Sequence, residues 1–362
     1  MQDGFARSVA FTTEDYHKLR STYRKWWNGE LGRPIAGAVL SRPEETPGPA
    51  LRFATAWDES IRPDEFIAAL DRRFSSMRWL GEAYPWVNFD AFGPGVLAAF
   101  LGCRPIGRRE TVWFAPPREN MPLREMHFEL NEHDPRLRRV LGVYEAGMEK
   151  WRGAVVLGMA DLGGILDILA SFRGTENLLM DLYDEPEEVL RCVGELQREW
   201  FKCYDLINRT IGSEAMGHTQ WFNLYGEEPG YILQSDFSYM ISPKMFETFV
   251  APELSSSAGR LSRALYHLDG TGELPHLDML LEMEDVKAIQ WVPGDGPAAS
   301  MDWTELLGRI LAGGKKLLSC ALTKEGALNP VIKDPGQVYV GDRHFQTIDE
   351  AKRWAEKFGV EL

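Results

Sequence analysis

The strongest constraint on this chain is a repeating alternation over its C-terminal two thirds. Short apolar runs recur at Ala154–Met159, Tyr231–Asp236, Leu261–Leu268, Val286–Trp291, Lys315–Ala321 and Gln337–Val340, with longer helical patterns between them. Runs of this length without polar alternation are those of strands buried on both faces. Helices between such strands make βαβ units, and βαβ units make a parallel sheet. Six or seven units are too many for a small doubly wound fold. Polar side chains stand just after the runs, at Asp161, Asp236, His267, Asp269 and Asp295. In a barrel of parallel strands those positions form the catalytic mouth.

The rest of the chain fits an α/β protein. Helices are predicted from about Thr12 to Trp27 with Thr13 as cap, from Pro63 to Phe74, from Ile165 to Phe172, from Asp184 to Ile211, from Leu306 to Ala312 and from Ile348 to Phe358. Ser242 and Thr347 are placed to cap helices. Strand character is also predicted at Arg33–Leu40 and Gly217–Asn223.

Composition excludes several classes. The formal net charge of −14 leaves no basic surplus for phosphates, so neither nucleic acid nor an anionic membrane is an expected partner. No 18 apolar residues run together, and the N-terminal residues lack the pattern of a secretory signal. Cys103, Cys192, Cys203 and Cys320 are few and widely spaced, as expected of reduced thiols in a cytoplasmic protein. No strand is followed by GxGxxG and no Walker A loop is present, which leaves nucleotide binding without support.

Each candidate site residue has a plain structural alternative. His267 and Asp269 lie two apart on one strand and point to the same side, as a shared metal or substrate group requires; otherwise they form a hydrogen-bonded pair. Asp236 and Asp161 are candidate catalytic carboxylates, or else turn aspartates. Two glycines after Asp161 permit close approach of a ligand. Asp167 reads as a helix-face partner for Arg173. Trp221, Phe222, Trp291, Trp86 and Trp113 are candidates to wall a pocket, although most of the 12 tryptophans must be core. Asp295 and Gly296 would cap the site, and His218 is a further substrate-binding candidate. Glu227 and Glu228 read as a solvated loop.

Three ordered segments resemble the uroporphyrinogen decarboxylase superfamily. They are Asp161-Leu162-Gly163-Gly164 running on to Asp184-Glu185-Pro186-Glu187; Gln234-Ser235-Asp236-Phe237 with Ile241-Ser242-Pro243; and Tyr266-His267-Leu268-Asp269-Gly270 with Trp291-Val292-Pro293-Gly294-Asp295-Gly296. The resemblance implies a (β/α)8 TIM barrel, one domain over residues 1–362 with an N-terminal helical extension over 1–32. One branch of that superfamily decarboxylates porphyrinogens without a cofactor. Its arginine-rich segment corresponds here to Leu31–Gly37, which keeps Arg33 alone. The other branch transfers methyl groups between a corrinoid protein and a thiol or another donor, often with zinc. Its His-x-Cys pattern corresponds to His267-Leu268-Asp269, and aspartate is an acceptable zinc ligand.

The resemblance thus implies a methyltransferase acting on a small methylated compound or a thiol. Zinc would sit on His267, Asp269 and Cys320, with His344 as the alternative third ligand, and a partner corrinoid protein would dock over the mouth. The alternatives are a cofactor-free decarboxylase of an acidic ring compound, recognised by several pocket arginines, and a non-catalytic ligand- or corrinoid-binding barrel.

Overall fold

The computed structural model describes residues 9–41, 49–294 and 301–362. Eleven strands lie within them: β1 Ile35–Ser41, β2 Met77–Gly81, β3 Trp86–Val87, β4 Arg104–Gly107, β5 Val112–Ala115, β6 Val156–Leu157, β7 Gly230–Gln234, β8 Arg263–Asp269, β9 Val286–Val292, β10 Lys316–Leu318 and β11 Val338–Phe345. The main sheet has seven strands in the order β2-β1-β11-β10-β9-β8-β7. All its pairs are parallel except β1 with β2, where Ser41 meets Met77 antiparallel. β3 and β6 form a separate parallel pair, and β4 and β5 an antiparallel one.

Helices join the parallel strands. Pro186–Ile211 shows why they form: Val189, Val193, Leu196, Trp200, Ile207 and Ile211 recur at helical spacing and are buried. Pro186 starts that helix and Gly212, at φ 65°, ends it in the left-handed conformation. Thr347 closes a capping box with Glu350, and the Ser242 hydroxyl accepts from the Met245 N–H. The N-terminal helix, Thr13–Trp27, is not a loose extension. Its Leu19, Tyr23 and Trp26 enter the main core, and Trp26 Nε1 donates to the Val338 carbonyl. Among the described residues no helix is long and apolar enough to cross a membrane.

Several expectations need correction. Thr12, not Thr13, caps the first helix, because its hydroxyl and the Asp15 carboxylate exchange hydrogen bonds with each other's backbone. The ladder at Ala154–Met159 shrinks to Val156–Leu157. Gly217–Asn223 forms no strand: His218 bridges Gly226 alone, and the Thr219 carbonyl accepts from the Met159 N–H. Arg173 pairs with Asp181 rather than Asp167. In place of the expected closed ring of eight parallel strands, six lie in one sheet and two in another. Among the described residues no ladder joins β1 to β3 or β6 to β7.

Candidate functional site

β7 and β8 pair in register with Gln234 beside His267, and β8 and β9 with His267 beside Gln290. Registered residues in a parallel sheet share a face, so these three polar side chains form a row on one face. The chain then leaves β7 at Asp236 and reaches the end of β8 at Asp269. The result is a compact donor set: one ligand atom each from Asp236, His267 and Asp269, all within 4.8 Å of one another. His267 Nδ1 lies 2.5 Å from Gln290 Oε1. A proton on Nδ1 makes that a donated bond, which fixes the tautomer and leaves the Nε2 lone pair free. The edge of Trp221 packs on the imidazole, with ring centroids 5.4 Å apart.

Asp167 holds the Asp236 turn in place. Its carboxylate accepts from the N–H groups of Asp236 at 3.1 Å and Phe237 at 2.7 Å. Gly164 makes room for this: a Cβ there would overlap the Asp167 carboxylate and the Gln234 carbonyl. From the other side, His276 Nε2 reaches the Ser238 carbonyl at 2.9 Å while its ring stacks on Phe246.

The site concentrates negative charge. Burial raises the Asp161 pKa to about 7, with Asp236 adding to it, against an N–H bond from Gly163 at 2.9 Å. Burial and Asp236 also raise Asp167, opposed by its two N–H bonds. Glu273 is fully buried and pushed well up, first by burial and then by Asp236; Tyr266 donates to it at 3.1 Å. Asp236 reaches solvent, yet desolvation raises its pKa, with His267 opposing and Asp269 adding. Carboxylates gathered like this favour a bound cation, which would reverse each of these shifts.

Beside the donor set lies a cavity of about 620 Å³. Trp79, Trp86, Trp221, Phe222 and Tyr339 wall it, Asn88, Asp90, Asn223, Ser319 and Asp342 add polar groups, and Arg73 and His344 also face it. Trp221 is common to the cavity and the His267 contact.

The structure therefore brings together Asp161, Asp236, His267 and Asp269, with Trp86 and Trp221 alongside. It separates the others. Trp291 is fully buried against Trp303 at 4.9 Å, because β9 alternates and it is Gln290 that joins the His267 row. His218 belongs to another hollow, with Tyr204, Arg209, Pro229 and Arg260, where β7 and β8 begin; burial lowers its pKa to about 4. Trp113 is 65% exposed on the β4–β5 hairpin. Cys320 points its thiol at the Trp291 carbonyl, 3.5 Å away, and is outside the donor set. His344 Nδ1 meets the Ser41 hydroxyl at 3.3 Å instead. Asp295 and Gly296 lie outside the described residues. Sequence reasoning missed Gln290, Asp167, Asp90 and Glu273. A glutamine interrupting the apolar run of β9 was the available signal for the first.

No protein-family model matches the chain. No curated protein matches it either. Among solved structures, a methyltransferase from Methanosarcina mazei superposes on 89% of this chain and 91% of its own, with a TM-score of 0.55 and 13% identity. At that identity the likeness is one of fold.

Proposed function

We propose that this chain is a metal-dependent methyltransferase whose metal, zinc by ligand chemistry, is held by Asp236, His267 and Asp269. The observation that carries the reading is the convergence of those three donors within 4.8 Å at the ends of two adjacent parallel strands. The donor set suits the ion: zinc takes imidazole nitrogen and carboxylate oxygen at roughly 2.0–2.2 Å. Ligand atoms of a tetrahedral zinc lie about 3.4 Å apart, so small side-chain rotations bring these three to bonding distance. Two carboxylates balance a divalent charge, and three protein ligands leave room for a thiol or a substrate heteroatom. When bound, zinc would supply a Lewis acid that deprotonates a thiol acceptor near neutral pH.

The chain's own groups do the rest. Gln290 fixes the imidazole tautomer. Asp167 holds the turn that presents Asp236. Trp221 and the aromatic cavity seat the methyl-bearing substrate and keep water out. Asp161, buried and beside Asp236, holds a proton more readily than an ordinary carboxylate in the metal-free chain and would release it as the metal binds. Tyr239 and Met240, 53% and 47% exposed on the turn after Asp236, offer an apolar lip on which a corrinoid protein would dock.

The reading includes closure of the two parallel sheets into one eight-stranded barrel. Support comes from the Met159 N–H bond to Thr219 and from Gly158, where a Cβ would strike the carbonyls of both Val87 and Gln220. The shared fold with a methyltransferase agrees with it. A decarboxylase of acidic rings called for several pocket arginines, whereas Arg73 is the one arginine among the described lining residues.

Metal analysis of the purified protein is the test. We expect near-stoichiometric zinc in the parent and its loss in His267→Ala and Asp269→Ala variants that keep the parent circular dichroism. A parent free of metal after growth with added zinc would overturn the reading.

A further inference from the structure

The mouth cavity has two electrostatically unlike ends. Asp90 lines one end and adds to the field that raises Asp161; Asp342 also lines the cavity, but on β11 two residues before His344, where burial raises its pKa to about 7 and Asn223 donates to it. Beyond Trp221 lie the carboxylates of Asp236 and Asp269. The opposite end, where β1 and β11 finish side by side, carries Arg73 and His344. Arg73 is exposed and makes no ion pair among the described residues. Its charge helps keep the neighbouring His344 ring neutral, second to burial. That ring lies 3.3 Å from the Ser41 hydroxyl. In a chain of net charge −14, an arginine with no carboxylate partner among the described residues, at the rim of an aromatic cavity, is suited to take up an anion.

We propose that the cavity binds a planar apolar carboxylate, an aromatic acid whose ring lies against Trp86 and Trp221 and whose carboxylate is held by Arg73 and His344. The volume of about 620 Å³ suits one such ligand. Polarity fixes its direction. The acids at the inner end repel the carboxylate, Arg73 attracts it, and the far side of the ring is turned toward Trp221 and His267. The far substituent is then the group presented for transfer, an assignment that rests on the methyltransferase reading above. Neutral rings of the same shape gain the aromatic contacts but not the guanidinium.

The experiment is a binding titration followed by tryptophan fluorescence, because Trp86 and Trp221 line the cavity. The probes are 4-methoxybenzoate and the neutral methoxybenzene, added to protein treated with chelator so that no metal takes part. The acid is expected to bind roughly tenfold tighter or more, as a charge-assisted bidentate bond provides. Arg73→Gln should abolish that preference and leave methoxybenzene affinity unchanged. Arg73 is exposed, so the variant is expected to fold, with circular dichroism as the check. Equal binding of the two probes, a preference that survives in Arg73→Gln, or binding of neither would overturn the proposal. The two readings fail separately. Acid recognition in a parent that takes up no zinc would remove the metal and keep this site; zinc uptake without acid recognition would do the reverse.

Discussion

Asp167 uses both carboxylate oxygens on the backbone N–H groups of Asp236 and Phe237. An amide in its place keeps one acceptor and turns an NH2 group toward the other N–H, and alanine removes both acceptors. Loss of a buried hydrogen bond of this kind costs about 1–3 kcal/mol. Asp167→Asn is therefore expected to weaken zinc binding roughly tenfold in chelator competition while lowering Tm by only a few degrees. If Tm falls and the zinc affinity of the folded protein does not, Asp167 supports the fold and not the position of Asp236. At this scale the sequence was readable wherever a polar residue directly follows an apolar run, as Asp161, Asp236, His267 and Asp269 do. It was silent about Gln290 and wrong about Trp291 for one reason. β9 is buried along most of its length, so its residues carry no polar–apolar alternation from which to tell one face from the other. Only the register with β8 settles which side chain meets His267.

Among the elements, the helix Ile165–Arg173 depends on a single residue at its start. Gly164 lies against the Gln234 carbonyl at the end of β7 and against Asp167, so a methyl group there would have to displace backbone. Gly164→Ala is expected to lower Tm by several degrees and to reduce zinc uptake, because the end of β7 and the Asp236 turn move together. Unchanged melting and metal content would mean that the helix shifts without consequence. Elements with strong local signals were legible: capped amphipathic helices and the six strands of the parallel series from β7 through β11 to β1. What escaped lacked a local cause. β3 and β6 pair over two residues each, and β2 is a half-exposed antiparallel edge strand. The helix Pro135–Trp151 is the exception, since its Asp134 cap, its opening proline and the buried Leu137, Val140, Leu141 and Tyr144 at helical spacing are local signals that the sequence does carry.

Over the whole molecule, buried acids and buried imidazoles pull stability in opposite directions. Asp161, Asp342 and Glu253 are each raised to about 7 by burial. An unfolded carboxyl titrates near ~4, so between about pH 4 and 7 these groups hold protons in the fold that the unfolded chain has released. Stability falls through that window as pH rises. His218, lowered to about 4, and His276 and His344, also lowered, act the other way below about pH 6.5, where the unfolded chain takes up protons that the fold refuses. Asp167 and Glu273 are raised as well, so the raised acids outnumber the lowered imidazoles, and the Tm of the metal-free protein should fall from about pH 5 to 8, more steeply above about 6.5, where the imidazoles no longer oppose the acids. Asp161→Asn keeps an acceptor for the Gly163 N–H and removes one acid from the balance. Its Tm advantage over the parent should grow from pH 5 to about 7 and level off above that; an advantage that is constant or shrinks between pH 5 and 7 would contradict the assignment of Asp161 as a buried, proton-holding group.

The antiparallel strand β2 occupies the edge of β1 that would otherwise face β3, and the aromatic cavity opens at that seam, between Val39, Met77 and Trp79 on one side and Trp86 and Val87 on the other. The consequence is one of traffic. If a corrinoid protein covers the ends of β7 and β8 beside Tyr239 and Met240, as proposed above, this seam would still give a small molecule its own way in. With separate doors, the two reactants would come and go independently. Turnover would then need no dissociation of such a complex between cycles, and the slow step of assembling it would be shared over many small-molecule events.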